Sequence, residues 1–232
     1  MPFAKSAILP IRLGSAHSYF IPSRQGAVLV DAGNAHKIMQ LKSVLHAHEC
    51  ELSDIKYIIL THTHHDHVGS LAELKKQTNA KIIVHESEAE YVRRGRTPLP
   101  KGTGWYSKAL VSIGKLARIG AYAPVAPDIL LTSTLDLSEI GIKGRVLHTP
   151  GHTLGSMSVV LDNGLAIVGD AMFNIQPDSV FPPFANDVAQ LMQSWRLLIN
   201  TGCTTFYPAH GRPIEREKLI RCFVKRIKRA AH

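Results

Sequence analysis

The sequence predicts a single domain of the α/β class. The chain has 232 residues, of which 45% are hydrophobic and 19% charged, and this composition supports one medium-sized core. Short β-branched or apolar runs alternate along the chain with stretches of helical periodicity. No low-complexity tract interrupts them, which excludes a disordered chain. The longest apolar runs are far shorter than the about 20 residues that a bilayer requires, so no membrane span is expected.

The predicted elements begin with three strands, because short apolar runs are separated by turn residues at Gly14 and Gly26. The middle of the chain alternates between strands and helices, and the turn at 162–164 joins two strands as a hairpin. The chain closes with a helix, a strand and a helix. In chain order, the predicted strands are 7–13, 18–21, 27–30, 57–60, 81–84, 129–131, 145–148, 158–161, 166–168 and 204–207, and the predicted helices are 35–45, 70–77, 87–92, 105–118, 188–199 and 215 onward.

The formal net charge of +9 is concentrated in two segments. Residues 91–127 contain seven basic residues and no acidic one, and residues 215–232 contain seven basic and two acidic ones. The remainder of the chain is slightly acidic. The C-terminal segment has the spacing of an amphipathic helix with a solvated basic face. Neither segment shows the pattern of a known nucleic-acid-binding module, so nucleic acid is not expected as a partner.

The first basic segment is interpreted as a loop-helix insertion at about 93–127. Glycines and prolines in 96–104 indicate a loop, and the following residues adopt helical spacing with apolar residues on one face. Three roles stay open for this insertion. It is a lid over a site, a homodimer interface through the helix at 104–120, or plain surface.

The cysteines indicate a reducing compartment. Cys50, Cys203 and Cys222 are odd in number and far apart, and they form no C-x-x-C pair. A disulfide framework is therefore not expected. The N-terminal apolar stretch is unlike a secretory signal, because Pro10 and Arg12 interrupt it. These two observations together predict a cytoplasmic protein.

The densest chemical signal is a run of histidines after the predicted strand at 57–60. Burying several polar rings without partners costs on the order of 1–3 kcal/mol each, and metal coordination supplies such partners. Imidazole and carboxylate groups suit zinc, iron or manganese. The run consists of His62, His64, His65, Asp66 and His67.

Three further metal-ligand residues occur in similar local settings. His152, Asp170 and His210 each follow a short predicted strand and lie beside glycine, with proline close by in two of the three cases. A lone histidine after a strand is usually an ordinary loop residue. If these strand ends lie along one edge of the sheets, however, all four segments converge. The sequence therefore predicts a metal site at that edge.

These motifs, in this order, resemble those of the metallo-β-lactamase superfamily over residues 31–211. The family has five motifs, which here are Asp31, His62-x-His64-x-Asp66-His67, Gly151-His152, Asp170 and His210. The resemblance implies a four-layer αββα sandwich of two mixed β-sheets, with a two-metal site at one edge.

The resemblance also implies a role for each motif residue. Asp31 would orient ligands by hydrogen bonds. His65 fills a variable motif position and is not expected to be a ligand. The first metal would be bound by His62, His64 and His152, the second by Asp66, His67 and His210, and both by Asp170.

The resemblance implies hydrolytic chemistry. Two divalent ions about 3.5–4 Å apart, zinc in the first place and iron or manganese otherwise, would share a hydroxide that attacks a carbonyl or phosphoryl centre. Asp66 would be the catalytic carboxylate that orients this hydroxide and moves a proton to the leaving group. A bridging Asp170 is similar to the glyoxalase II, lactonase and phosphodiesterase branches rather than to the lactamases. The leading prediction is hydrolysis of a small-molecule ester, thioester or lactone, which is anionic if the basic insertion covers the site.

Two alternative functions stay open. A metal-dependent phosphodiesterase or nuclease would use the same metals and the basic segments. An oxidoreductase similar to the persulfide dioxygenases would use one iron in the first ligand set. In the leading prediction, the first two residues of the helix predicted at 105–118 and the segment 173–184 would line an apolar substrate pocket. The predicted pocket residues are Trp105, Tyr106, Phe173, Phe181 and Phe184.

Overall fold

Two six-stranded β-sheets pack face to face with helices on both outer faces, as a computed structural model of the chain shows. The structure describes residues 8–23, 25–116 and 119–230. Arg118, the end of the helix predicted at 105–118 and His232 lie outside the described residues, as does the side chain of Lys115. The predicted four-layer αββα sandwich is confirmed.

The first sheet is mixed and follows chain order from β1 to β6. Its first three strands are antiparallel, and its last three continue from β3 in parallel. Parallel neighbours place their carboxyl ends at one edge, which is where the histidine run leaves β4. The strands are β1 (Leu9–Arg12), β2 (His17–Ile21), β3 (Ala27–Val30), β4 (Ile55–Ile59), β5 (Lys81–His85) and β6 (Ile129–Leu131).

The second sheet is also mixed, with the order β12-β11-β10-β9-β8-β7. All of its neighbouring strands are antiparallel except β10 and β11, which run parallel. The strands are β7 (Leu135–Asp136), β8 (Gly144–His148), β9 (Met157–Leu161), β10 (Leu165–Asn174), β11 (Thr205–Gly211) and β12 (Ile214–Glu215).

The helices form the two outer layers. α1, α3 and α4 contribute buried residues to the core outside the first sheet, and α6 and α7 contribute to the core outside the second. The helices are α1 (Ile38–Ala47), α2 (His65–Val68), α3 (Leu71–Thr78), α4 (Glu86–Arg94), α5 (Trp105–Leu116), α6 (Val188–Asn200) and α7 (Arg216–Ala230). In the described part of the chain, none of these helices has the length and apolar character needed to cross a membrane.

Strand β3 shows how the sequence builds these layers. Its side chains are all buried, and successive ones point to opposite faces of the sheet. Ala27 and Leu29 pack on the helices, whereas Val28 and Val30 pack between the sheets. A strand that is buried on both faces is therefore continuously apolar rather than alternating.

The structure corrects two strand ends near the predicted site. Asp170 and His210 were expected just past short strands, but β10 and β11 continue through them. The register between the two strands shifts around Gly169, which has a φ of +50° and whose added Cβ would lie 2.5 Å from Thr61 Oγ1. The regular strand pattern in the sequence ends at this irregularity, and for that reason the strand was predicted to end at residue 168.

We predict that Gly151→Ala destabilises the loop that carries His152. Gly151 has a φ of +128°, and an added Cβ would lie 2.4 Å from the backbone N and Cα of Leu191. Backbone strain and overpacking together should lower the free energy of unfolding by about 3 kcal/mol, measured by urea denaturation.

The matched control is Gly202→Ala. Gly202 also has a positive φ, +82°, but an added Cβ would meet no atom within 4 Å. The control should therefore cost only the conformational strain, about 1 kcal/mol. Equal losses in the two variants would contradict the role of the Gly151–Leu191 contact.

Candidate metal centre

Seven histidine and aspartate side chains converge at one edge of the sandwich. The first sheet supplies four of them from the loop after β4 and from α2, and the second sheet supplies three from β10, β11 and the loop after β8. The seven form three overlapping groups of three, and within each group the metal-ligand atoms lie within 4.8 Å of one another. The third group consists of His62, His67 and Asp170, and it links the two groups described below. The seven residues are His62, His64, Asp66, His67, His152, Asp170 and His210.

Three imidazoles form the first group. His62, His64 and His152 are almost fully buried, and their ligand atoms lie within 4.8 Å of one another. The Nδ1 of His152 lies 2.9 Å from the carbonyl of Phe184, so it donates there and leaves the Nε2 lone pair facing the group. That Nε2 lies 3.0 Å from Nδ1 of His64. The ring nitrogens therefore face a common point.

Asp66, His67 and His210 form the second group. The Nε2 of His210 lies 3.3 Å from Oδ2 of Asp66. The opposite ring nitrogen of His210, Nδ1, lies 3.2 Å from the carbonyl of Ser15 and donates to it. Since Asp66 and His210 are partly exposed, this group borders the open side of the site.

Asp170 lies between the two groups. Its Oδ2 is 3.9 Å from Nε2 of His62 and 3.5 Å from Nε2 of His152. Its Oδ1 is 3.3 Å from Nε2 of His67 and 3.5 Å from Nε2 of His210. One carboxylate oxygen thus faces each group, which is the arrangement expected of a bridging ligand.

Several buried polar atoms of the cluster have no hydrogen-bond partner among the described residues. They include Nε2 of His62, Nε2 of His67 and Oδ1 of Asp170. An unsatisfied buried polar atom costs about 1–3 kcal/mol, so such a group is unstable without a further partner. Divalent cations bind imidazole nitrogens and carboxylate oxygens, and the donor set therefore fits a divalent metal.

The first group consists of neutral imidazoles. Burial is the largest influence on each ring and lowers the pKa of His62 well below its usual value, and that of His64 to about 3. The pKa of His152 is lowered as well, again by burial. Neutral imidazole is the form that binds metals.

The second group has the opposite electrostatic character. Burial lowers the pKa of His67, but the carboxylates of Asp31 and Asp170 outweigh it and hold that pKa well above its usual value. The pKa of His210 is also raised, because Asp170 and the hydrogen bond to Asp66 outweigh burial. A cation at this position would take over the charge that these protons carry.

Both carboxylates of the cluster are ionised. Burial raises the pKa of Asp170, but His210 and His67 lower it more strongly, to about 2. The pKa of Asp66 is also depressed, since the hydrogen bond with His210 and the charge of His67 outweigh burial.

Asp31 holds the histidine loop from behind. Its Oδ1 accepts from the backbone N of Thr61 at 2.7 Å, and its Oδ2 accepts from Thr61 Oγ1 at 2.7 Å and from Nδ1 of His67 at 2.8 Å. With Nδ1 donating to Asp31, Nε2 is the ring atom of His67 that faces Asp170 and would bind a metal in place of its proton. Asp31 has a φ of +62°, a costly conformation for a residue other than glycine.

The sequence interpretation missed Glu88, a buried carboxylate on α4. Its Oε2 accepts from the backbone N of Thr63 at 3.1 Å and from the Thr63 hydroxyl, and its Oε1 accepts from the N of Gly155 at 3.3 Å. Glu88 therefore joins the two loops that carry His64 and His152. A single glutamate in a helical pattern carries no signal in the sequence, because most such residues are solvated.

The insertion at 93–127 is tied to the same loop. The Thr97 hydroxyl donates to the carbonyl of Thr63 at 2.5 Å and lies 2.7 Å from the hydroxyl of Tyr122. Both ends of the insertion are thereby connected to the backbone between His62 and His64.

An open cavity of about 380 Å³ lies above the cluster. Asp66, Asp170 and His210 form part of its floor together with His64, His65 and His152. Its walls are apolar and come from the insertion, from the end of β10 and from the segment after β10. The wall residues are Leu99, Pro100, Leu110, Val111, Gly114, Ile119, Phe173, Ile175, Pro183 and Phe184.

The structure corrects three of the five predicted pocket residues. Phe173 and Phe184 line the cavity, and the ring of Phe173 stacks on His210 with centroids 4.6 Å apart. Phe181 instead packs against Trp195, with the guanidinium of Arg226 3.8 Å from its ring centroid.

Trp105 and Tyr106 point away from the cavity and are 83% and 62% exposed. The opposite side of α5 faces inward because Gly114 allows close approach, since an added Cβ would lie 2.8 Å from Leu99 Cδ1. Helical spacing identified an apolar face, but small residues decide which face packs.

Comparison with known proteins identifies one family. The family model described as the metallo-beta-lactamase superfamily matches residues 11–210. A protein of Methanocaldococcus jannaschii named a "probable metallo-hydrolase" is 28% identical over 203 residues, covering 85% of this chain and 88% of the relative. A hydroxyacylglutathione hydrolase of Rhodopseudomonas palustris is 31% identical over 125 residues, which is 53% of this chain and 36% of the relative.

Solved structures share the fold. An archaeal metallo-beta-lactamase superfamily protein of Sulfolobus tokodaii superposes with a TM-score of 0.67 at 23% identity, covering 95% of this chain and 86% of that one. A second protein, solved in a di-iron-bound form, superposes with a TM-score of 0.69 at 22% identity, covering 92% and 97%.

We predict that Asp31→Asn weakens metal binding. An amide has one acceptor oxygen, so it cannot accept from both Thr61 groups and from His67. Loss of such a partner behind a ligand should reduce metal affinity by about 10–100-fold, measured by competition with a chromogenic chelator. Asp136→Asn, which alters an exposed carboxylate that caps Ser138, is the control, and the same affinity in both variants would refute the role of Asp31.

We predict that Glu88→Gln loosens the two loops that it joins. The amide NH₂ must face either Thr63 N or Gly155 N, which places a donor against a donor. The free energy of unfolding should fall by about 2 kcal/mol in urea denaturation, and metal uptake should fall with it. The control is Glu90→Gln, an exposed glutamate on the same helix that pairs with Arg94. Indistinguishable stabilities for the two variants would contradict this prediction.

Proposed function

The chain belongs to the metallo-beta-lactamase superfamily, and we propose that it is a hydrolase that uses two divalent metal ions to cleave an ester, thioester or lactone. Relatives named as metallo-hydrolases support hydrolytic activity in general. Beyond family membership and hydrolytic activity in general, this proposal adds two metal ions, the identity of the metal and the class of substrate.

One observation carries the proposal. Asp170 lies between two groups of ligand atoms with one oxygen facing each, and residues of both groups lie at the floor of a cavity with apolar walls. A shared carboxylate between two donor sets supports two ions rather than one. We assign zinc first, since three imidazoles suit zinc, with iron or manganese as alternatives. Iron is retained as an alternative because one structural neighbour was solved in a di-iron-bound form.

The walls of the cavity favour a substrate with an apolar part next to its reacting carbonyl. Leu110, Val111 and Phe184 present carbon surface above the cluster. Divalent ions bound at such a site supply a Lewis acid for the carbonyl oxygen and lower the pKa of water. The relatives named hydroxyacylglutathione hydrolase act, by that name, on a thioester, which supports the same class of reaction here.

Asp66 is the group that we assign to proton transfer. Its carboxylate is ionised, lines the cavity and is partly exposed, whereas Asp170 is enclosed. An oxygen of Asp66 can accept a proton from the attacking water and return it to the leaving group. His210 holds this carboxylate through its Nε2 at 3.3 Å, and the Ser15 hydroxyl donates to it at 3.4 Å.

We predict that the purified protein binds about two divalent ions per chain and hydrolyses carboxyl esters, thioesters or lactones only when they are bound. The experiment measures metal content by elemental analysis of protein purified without added metal. It then measures turnover of a panel of lactones, thioesters, aryl esters and bis(p-nitrophenyl) phosphate before and after chelation.

Each outcome of this panel decides between functions. Turnover of phosphodiesters without carboxyl esters would indicate the phosphodiesterase alternative. A single iron per chain with oxygen consumption would indicate the oxidoreductase. Full activity after removal of all metal would overturn the proposal.

A further inference from the structure

The outer face of α5 is an exposed apolar surface. Trp105, Ile113 and Leu116 are 83%, 63% and 88% exposed, and Tyr106 and Ala109 lie on the same side of the helix. The inner side of the helix lines the metal cavity through Leu110, Val111 and Gly114. Contiguous apolar patches of this kind are rare on proteins that stay fully surrounded by water, so this surface indicates a partner.

The charge around this surface is of one sign. Residues 91–127 include no acidic residue. Arg93 and Arg94 pair with Glu90 on α4, but Arg96, Lys101 and Lys108 are exposed, and no ion pair involves them within the described part of the chain. An apolar helical face with tryptophan, isoleucine and leucine, flanked by uncompensated cations, is the pattern of helices that lie in the surface of an anionic membrane.

The segment at the end of β10 adds exposed apolar surface at the same cavity. Ile175 is 68% exposed and lines the cavity together with α5. Its neighbour Asn174 accepts from Nζ of Lys218 at 2.6 Å, which places one cation beside this segment.

A second copy of the chain is a poorer occupant of this surface. In a two-fold symmetric dimer the same patch meets itself, so the basic residues of both copies would be brought together with no acidic residue of the insertion between them. An anionic lipid surface complements the same charges, and each cation near such a surface adds to the affinity.

We propose that the outer face of α5 docks on anionic lipid bilayers and so holds the helix that walls the metal cavity at the membrane surface. The apolar side chains enter the boundary between headgroups and acyl chains, and Lys101 and Lys108 contact the lipid phosphates. This docking does not depend on the proposed hydrolysis, since it is measured without turnover.

Tryptophan emission of the full chain reports docking directly. Trp105 is exposed, whereas the other tryptophan, Trp195, is fully buried and donates to the carbonyl of Ala171 at 2.7 Å. Vesicles of phosphatidylcholine mixed with phosphatidylglycerol should shift the emission to shorter wavelength and should float with the protein in a density gradient. Vesicles of phosphatidylcholine alone should do neither.

Two double variants test the two parts of the surface. Ile113→Ser with Leu116→Ser removes apolar contact while keeping Trp105, and Lys101→Glu with Lys108→Glu reverses charge. Each should lower affinity for anionic vesicles by about tenfold or more. The matched control is Met39→Ser with Lys42→Glu on α1, where Met39 is 74% exposed and no residue lines the cavity; it should bind as the native chain does.

Three results would overturn the proposal. They are no binding to anionic vesicles, equal binding to neutral ones, and a dimer in analytical ultracentrifugation that Ile113→Ser with Leu116→Ser dissociates. The last result would assign the surface to a second copy instead.

Discussion

The enclosed carboxylate of Asp170 is the point on which the rest of the site depends. It contacts both halves of the cluster, and its two oxygens face different sets of imidazoles. Its place on β10 requires the close approach of Gly169 to Thr61, where no side chain fits. The two ligand-bearing segments therefore approach each other closely beside the residue that contacts both groups.

The packing between the sheets sets the geometry of the centre. Four ligands belong to one short segment after β4, so their mutual positions are local, whereas the other three arrive from the second sheet. Valines and isoleucines such as Val30, Ile59 and Val159 fill the space between the sheets. Because protein cores are close-packed and resist compression, this apolar layer fixes the distance between the two sheets that supply the ligands.

Much of this arrangement is legible in the sequence, for a physical reason. Ligands such as His62 and His152 follow apolar runs that form strands, and in both sheets these strand ends lie at the same edge of the sandwich. Glu88 was missed because its importance lies in two backbone N–H groups, at Thr63 and Gly155, that no sequence pattern displays. Trp105 and Tyr106 were predicted to face the pocket, but they lie on the outer side of α5. Helical periodicity separates two faces without indicating which one packs, and the absence of a side chain at Gly114 lets the other face approach Leu99.

The hydrogen bonds of Thr97 to the histidine loop make the insertion a fixed wall of the cavity. Its helix presents Leu110 and Val111 inward and Ile113 and Leu116 outward, so that substitutions on one side leave the other untouched. The residues that shape the cavity and the residues of the outer face can then change separately, although they lie within about two helical turns. Substitutions at the cavity wall would alter which substrates fit without changing the outer face of α5. Substitutions on the outer face would alter what that face contacts without changing the metal site.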